Sequence, residues 1–548
     1  MSPGLMSAGL GAVPAGQTDL DITQGNRVFD SLYDSALPDV RVAVNRPVRD
    51  AAVIERAESA PAEIVPGLLA VTLAEGGRAF GVRDASTGQL RGLVSGLGPR
   101  DLLIAIERPP PGKNRELVIG VAGKGFDGNL TSDSTRLDGY VLSTDVAPTI
   151  LDWFGLEVPS QMSGQPIRSE GEVDAAAVEA LGARMAVISE RRGPVVGLSL
   201  LAWVLALGLA IAVTRGAAGR IGVQIAGMAV VYLPLVLLAA AAVEPGEGVE
   251  MLMAMLGAPA LAALTLALAL LGGYRALAVA SGLTVAAYAV DVIAGSPLTS
   301  LSLLGPNPGL GVRFYGIGNE LEALLAVLIV AGTGAGLAGF APRLSPRGCA
   351  AVFLGVGLPL AFVFAAGRFG ADVGAAIVFP VGAAVAAAVI AARRRRAALA
   401  IVALPFAVVG LLALLDLITG ANAHLTRSVL DAGGLGDLGD VAQRRLQLSA
   451  HSFTRPIVFV FLPLIVALVA LAVVHHERLR AWLTAYPAMR AGLLGAVAAT
   501  IVGTLANDSG ALLLEIGAAY LLVFTGFAWT EARQSSPQTK SYTSVHHI

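Results

Sequence analysis

The chain has 548 residues, of which 55% are hydrophobic and 14% are charged, and its mean hydropathy is +0.71. A composition this apolar excludes a single soluble domain, and a formal net charge of −2 provides no basic field for nucleic acid. The one cysteine, Cys349, excludes both a disulfide scaffold and a zinc site built from cysteines. We therefore expect the lipid bilayer, and not nucleic acid, to be the main partner.

The first 194 residues have the pattern of a water-soluble domain. Short apolar runs at Leu102–Ile106 and Leu117–Val121 lie between Gly, Pro and charged residues, which predicts two strands. Residues Ala175–Ser189 have helical spacing. The mixture predicts an α/β domain over residues 1–194.

Beyond Arg191 and Arg192, apolar stretches long enough to cross a bilayer core of about 30 Å follow one another. We predict eleven transmembrane helices, hence an all-α polytopic domain over 195–529 and a polar, disordered tail over 530–548. The predicted spans are 195–214, 221–243, 250–272, 275–294, 320–340, 349–367, 371–392, 397–419, 456–474, 490–506 and 510–529.

Arginine placement predicts the sidedness of these spans. With Arg393–Arg396 in the cytoplasm, most other loop arginines also fall inside, as the positive-inside rule requires. Residues 1–194 are then extracytoplasmic and the C-terminus is cytoplasmic. Because Met1–Val13 has no basic segment followed by an apolar run, we expect an export signal or anchor to precede Met1, so that this domain is truncated.

One segment of the soluble part carries a motif. Leu142–Pro159 reads LSTDVAPTILDWFGLEVP and is followed by Met162–Ile167. Thr144 or Asp145 is expected to cap a helix that has Pro148 in its first turn and ends at Gly155. The segment resembles the late motif of the alkaline phosphatase superfamily, which includes phosphodiesterases and sulfatases. The resemblance implies that fold for about residues 1–170.

The same resemblance implies a two-metal site of Asp and His, which this chain lacks. None of the six histidines lies in residues 1–194, and Glu107–Pro111 (ERPPP) stands where the family has Asp-His-Gly. We therefore expect no family-type di-metal phosphohydrolase activity, no metal and no cofactor. Only carboxylates such as Asp19, Asp21 and Asp30 would be left for an atypical metal site.

Polar residues of the membrane half cluster at one predicted face, the outer one. Arg313 and Arg368 would hold a phosphate or carboxylate, the acids would act as base, metal ligand or cation site, and Tyr315 would stack on a sugar. The alternative is that these groups pair locally and close loops without chemistry. The candidate substrate-binding residues are Arg313, Tyr315, Asn319, Glu320, Glu322, Arg368, Asp372, Asn507 and Asp508, and Asp291 lies near the same predicted face.

The segments Phe314–Glu320 (FYGIGNE) and Asn507–Gly510 (NDSG) resemble those of an uncharacterised group of bacterial envelope proteins. In that group a phosphatase-like domain is joined to a polytopic membrane domain. We predict a cell-membrane protein whose outer face binds or processes a lipid-linked or phosphate-bearing envelope intermediate, or an anionic envelope polymer. The alternatives are a secondary transporter or flippase and a phosphohydrolase with an atypical metal site; no GxxxxGK[ST] motif supports ATP-driven transport.

Overall fold

The chain forms two compact units in a computed structural model. One unit holds Met1–Ser189 and Asn307–Phe314, and the other holds Glu190–Pro306 and Tyr315–Ile548. The structure describes residues 27–29, 68–78, 81, 85–107, 116–159, 161, 162, 164–213, 217–268, 273–311, 313–392, 403–412, 414, 446–455 and 458–535. Asp19, Asp21 and Asp30 lie outside these residues, as does the tail beyond residue 535.

The first unit combines short strands with helices. Its described strands are β1 (Arg27–Phe29), β2 (Leu103–Ile106), β3 (Glu116–Ala122), β4 (Asn129–Thr131), β5 (Tyr140–Leu142) and β6 (Arg168–Glu170). Its described helices are α1 (Leu68–Glu75), α2 (Thr87–Ser95), α3 (Val146–Trp153) and the first part of α4 (Ala175–Val213). Both predicted strands and the predicted helix over Ala175–Ser189 coincide with β2, β3 and α4.

Four of the strands form one mixed sheet in the order β2-β3-β1-β5, and β4 pairs with β6 separately. Strand β3 is antiparallel to both β2 and β1, whereas β1 and β5 are parallel. Leu117, Ile119 and Val121 face one hydrophobic cluster, and Val118 and Ala122 face another. Because both faces of β3 are covered, its sequence is a continuous apolar run and not an alternating one.

The motif around Asp145 joins α3 to two loops. The buried Asp145 carboxylate accepts hydrogen bonds from the hydroxyls of Ser132 and Ser134, both at 2.6 Å, and from the amides of Leu142 and Gln165, both at 2.9 Å. Burial raises the pKa of this carboxyl, and the hydrogen bonds oppose that shift. Asp145, one of the two predicted caps, occupies the N-cap position of α3, but its carboxylate accepts hydrogen bonds from other segments and not from the first turn of the helix.

The second unit is helical. Besides the second part of α4, its helices are α5 (Ala217–Val243), α6 (Glu247–Leu252), α7 (Ala258–Ala267), α8 (Tyr274–Ile293), α9 (Asn319–Phe340), α10 (Pro346–Ala365), α11 (Val373–Ala391), α12 (Val458–Val474), α13 (His476–Leu483), α14 (Pro487–Ala506) and α15 (Gly510–Ser535). A π-helical turn, Met253–Gly257, joins α6 to α7.

Nine helices of the described residues are long and apolar enough to cross a membrane. Each overlaps one of the eleven predicted spans. The other two predicted spans, 397–419 and 456–474, contain the shorter apolar helices Ala403–Leu412 and Ile465–Val474. The structure thus supports a multi-pass membrane protein with a polytopic helical domain.

Small residues let the central helices of this unit approach closely. Helix α9 is the most buried of the nine candidate spans, and it contacts α8, α14 and α15. A Cβ atom added to Gly492 would lie 3.0 Å from the Cα of Gly334, and one added to Gly495 would overlap the carbonyl oxygen of Gly382. This close approach of helix backbones is typical of helix packing inside membranes.

Candidate functional site

Six of the predicted site residues lie at one end of the helical unit. Helix α9 begins at Asn319, α11 begins after Asp372, and α14 ends before Asn507. Hydrogen bonds join the ends of α9 and α14, and the Glu322 side chain lies against Gly374 at the start of α11. We call this set of residues the polar end: Asn319, Glu320, Glu322, Asp372, Asn507 and Asp508.

The centre of the polar end is a buried acid–amide pair. The Glu322 side chain is 0% exposed and that of Asn507 is 5% exposed. The amide nitrogen Nδ2 of Asn507 donates to Oε2 of Glu322 at 2.6 Å. A short hydrogen bond to a buried carboxylate supplies part of the solvation that water cannot supply there.

A second buried acid, Asp372, lies beside the first. Asp372 is the N-cap residue of α11, and its Oδ1 accepts a hydrogen bond from the amide of Gly374 at 3.2 Å. The Glu322 carboxylate lies against the same glycine, because a Cβ added to Gly374 would be 2.5 Å from its Oε2. Both carboxylates are therefore at the N-terminal end of α11, where the helix dipole favours negative charge.

The rim of the polar end is exposed. Asn319 at the start of α9 donates through Nδ2 to Oδ1 of Asp508 at 3.1 Å. Asp508 lies between the end of α14 and the start of α15 and is exposed. The polar end thus runs from a buried acid–amide pair to a solvent-accessible one.

Glu320 has a partner that the sequence analysis missed. Nη1 of Arg192 lies 3.0 Å from Oε1 of Glu320, and Nη2 donates to the carbonyl oxygen of Gly305 at 2.6 Å. Its neighbour Arg191 pairs with the fully buried Glu250 at 3.1 Å. In the sequence the two arginines mark the start of the apolar region, and the acidic loop Glu244–Glu250 is the signal that predicts a carboxylate partner for one of them.

A glycine-rich turn places Arg368 beside the polar end. The amide of Ile317 donates to the carbonyl oxygen of Gly370 at 2.9 Å. Gly316 has φ +75°, and a Cβ atom at this position would overlap the same oxygen, so only glycine fits. The Arg368 side chain is exposed, and its guanidinium carbon lies 6.0 Å from the centroid of the Phe369 ring.

Two predicted site residues are not among the six residues of the polar end. Arg313 belongs to the first unit with the rest of Asn307–Phe314, whereas the polar end belongs to the second. Tyr315 begins the following stretch of the helical unit and is half-buried. The chemistry of the polar end therefore depends on four carboxylates, two amides and the neighbouring Arg192 and Arg368.

Groups of three or more potential metal-ligating His, Cys, Asp or Glu side chains do not occur among the described residues. Comparisons with models of protein families, with curated proteins and with solved structures found no match to this chain.

Proposed function

We propose that this chain is a cell-envelope membrane protein whose polar end binds a lipid-linked or otherwise phosphate-bearing envelope intermediate. The observation that carries the proposal is the meeting of polar side chains from three distant segments. Asn319 and Glu322 on α9 bond to Asp508 and Asn507 after α14, and Asp372 precedes α11 beside Glu322. Polar side chains collected in a membrane domain are costly and mark functional sites by default.

Arg368 is the group best suited to hold a phosphate. Its side chain is exposed, and its loop is held in place by the hydrogen bond between Ile317 and Gly370. A guanidinium forms two parallel hydrogen bonds to a phosphate, which adds orientation to charge attraction. The neighbouring Phe369 ring offers an apolar surface to the rest of a lipid ligand. Glu320 is already neutralised by Arg192 and so repels the anion less.

For the first unit, we propose an α/β domain that is a degenerate relative of the alkaline phosphatase superfamily. Its role would be to recognise phosphate-bearing substrate without cleaving it. The hydrogen bonds of Asp145 and Thr149 to Gln165 and Ile167 support this, because they give the motif residues a structural role. We further propose eleven spans, with residues 1–194 extracytoplasmic and the C-terminus cytoplasmic.

The test is binding of farnesyl phosphate and inorganic phosphate to the full chain in nanodiscs. We expect farnesyl phosphate to bind and Arg368→Gln to weaken its binding about tenfold or more, the effect of losing a charged hydrogen-bond pair. Arg343→Gln is the matched control, because Arg343 is an exposed arginine beyond the other end of α9. Equal affinity in wild type and Arg368→Gln would contradict the proposal.

A secondary transporter is the second candidate. The observation that favours it is the irregular segment between α8 and α9, where short 3₁₀ turns (Thr299–Leu301 and Pro308–Leu310) replace continuous helix. Discontinuous helices of this kind form substrate and ion sites in transporters. Movement of a fluorescent prenyl phosphate between leaflets of proteoliposomes would favour this candidate over simple binding.

A further inference from the structure

Another buried carboxylate lies in the same helical unit but outside the polar end. Asp291, near the C-terminal end of α8, is 5% exposed. Its Oδ1 accepts a hydrogen bond from the amide of Leu298 at 3.1 Å, and its Oδ2 accepts one from the amide of Thr299 at 2.7 Å. Both donors belong to the main chain, so they orient the carboxylate without supplying a full positive charge.

A counterion would balance the Asp291 carboxylate, which is bound here only by neutral donors. Among the described residues, none of the ion pairs includes Asp291. An ionised carboxylate buried at the end of a membrane helix is costly unless an opposite charge or a proton compensates it. Two main-chain amides offset part of that cost but supply no opposite charge.

Thr299 provides a second, independent indication of a ligand. Its side chain is 0% exposed, and its hydroxyl oxygen Oγ1 makes no hydrogen bond to any described residue. Buried hydroxyls are normally paired, because leaving one unpaired costs free energy. This oxygen belongs to the residue whose amide is bound to Asp291, so the unpaired hydroxyl and the carboxylate are on two residues in direct contact.

Two further buried hydroxyl groups belong to the same stretch of chain after α8. Ser296 and Ser302 are both 0% exposed, and Ser296 has φ +70° in the turn that ends α8. Carboxylate, hydroxyl and main-chain carbonyl oxygens are the ligands of hard cations, and in transporters unwound main chain at broken helices coordinates Na⁺. A single carboxylate neutralises a monovalent ion, whereas a divalent ion would leave a positive charge buried.

We propose that the Asp291 carboxylate and the Thr299 hydroxyl bind Na⁺, with main-chain carbonyls of the segment after α8 completing the site. The ion would also stabilise the chain that leads into the polar end. Ser296 in this segment accepts a hydrogen bond at 2.9 Å from the amide of Gly316, which shortly precedes Asn319. The proposal does not depend on the phosphate ligand proposed above.

The test is the thermal denaturation midpoint of the full chain in nanodiscs as NaCl replaces choline chloride at constant ionic strength. For the wild type we expect a saturable rise with Na⁺, because a ligand that binds only the folded state stabilises it. Thr299→Ala should raise the half-saturating Na⁺ concentration about tenfold, the effect of one lost ligand. The midpoint of Thr299→Ser, which keeps the hydroxyl, should rise with Na⁺ as that of the wild type does. The midpoint of Asp291→Asn should not change with Na⁺.

Thr284→Ala is the matched control, because Thr284 is also a fully buried threonine of the α8 region and its hydroxyl donates to the carbonyl oxygen of Val231 at 3.0 Å. It should lower the midpoint without changing the half-saturating Na⁺ concentration. If Asp291→Asn fails to fold, the half-saturating Na⁺ concentrations of Thr299→Ala and Thr299→Ser show whether the Thr299 hydroxyl binds the ion. Equal midpoints of the wild type in both salts would overturn the proposal, as would an unchanged Na⁺ response in Thr299→Ala.

Discussion

Asn507 and Glu322 are 185 positions apart, yet they form the shortest of the hydrogen bonds described at the polar end. Both side chains are buried, so the amide replaces water as a donor to the carboxylate. Asp145 in the other unit is solvated in the same way, by two hydroxyls and two main-chain amides. In both places a buried acid is maintained by donors that come from elsewhere in the chain.

A double-mutant cycle measures the coupling free energy between Asn507 and Glu322. We expect Asn507→Ala to lower the free energy of unfolding by about 1.5–3 kcal/mol, because it removes a donor from a buried charged group. In a Glu322→Gln background the same change should cost at least about 1 kcal/mol less. Denaturation of the full chain in detergent would give the free energies of unfolding of the wild type, the two single variants and the double variant. Additive effects would show that the pair contributes no coupling.

At the scale of elements, glycines determine how closely α9, α11 and α14 approach one another. Gly334 meets Gly492, and Gly382 meets Gly495, at distances that leave no room for a side chain. Because the helices pack this closely, side chains at their ends can form hydrogen bonds with one another, as Asn507 and Glu322 do. The glycines of the apolar spans are therefore part of what forms the polar end.

Gly495→Ala tests this packing. The added methyl group would overlap the carbonyl oxygen of Gly382, which belongs to main chain and cannot move alone. We expect a loss of about 1–3 kcal/mol in the free energy of unfolding, as for other overpacked interiors. Gly355→Ala on α10 is the control, because nothing lies within 4 Å of the added atom. A variant Gly495→Ala as stable as Gly355→Ala would show that the close approach is dispensable.

At the scale of the whole molecule, helix length and arginine placement together predict which face of the membrane holds the polar end. Asn319 and Asp508 are at one end of α9, and Arg343 follows its other end. A helix of 22 residues at about 1.5 Å per residue is long enough to separate these positions by a bilayer core. The arginine distribution predicts that the polar end faces outward.

Cysteine labelling in intact cells measures this sidedness directly, since Cys349 is the chain's single cysteine and is replaced first by serine. In that background we expect Asp508→Cys to react with a membrane-impermeant maleimide. Arg343→Cys should react only after the cells are permeabilised. Both positions are exposed, so a difference between them reports the side of the membrane and not burial. The reverse pattern would invert the proposed topology.

The sequence by itself was sufficient to predict nine of the described helices as long and apolar enough to cross a membrane, because the length and apolarity of a span are local properties of consecutive residues. It was also sufficient for β2, β3 and α4. The side-chain roles were harder to predict. Thr144 or Asp145 is the predicted N-cap, and Asp145 occupies that position, but its carboxylate accepts hydrogen bonds from residues as distant as Gln165.

Only the tertiary structure decided which polar groups are partners. The pairing of Arg192 with Glu320 joins residues 128 positions apart, and no local pattern specifies it. Arg313 shares a motif with Tyr315 in the sequence, yet the two belong to different units. The physical reason is that a charge in a membrane helix must find a partner, but which partner it reaches depends on how the helix backbones pack.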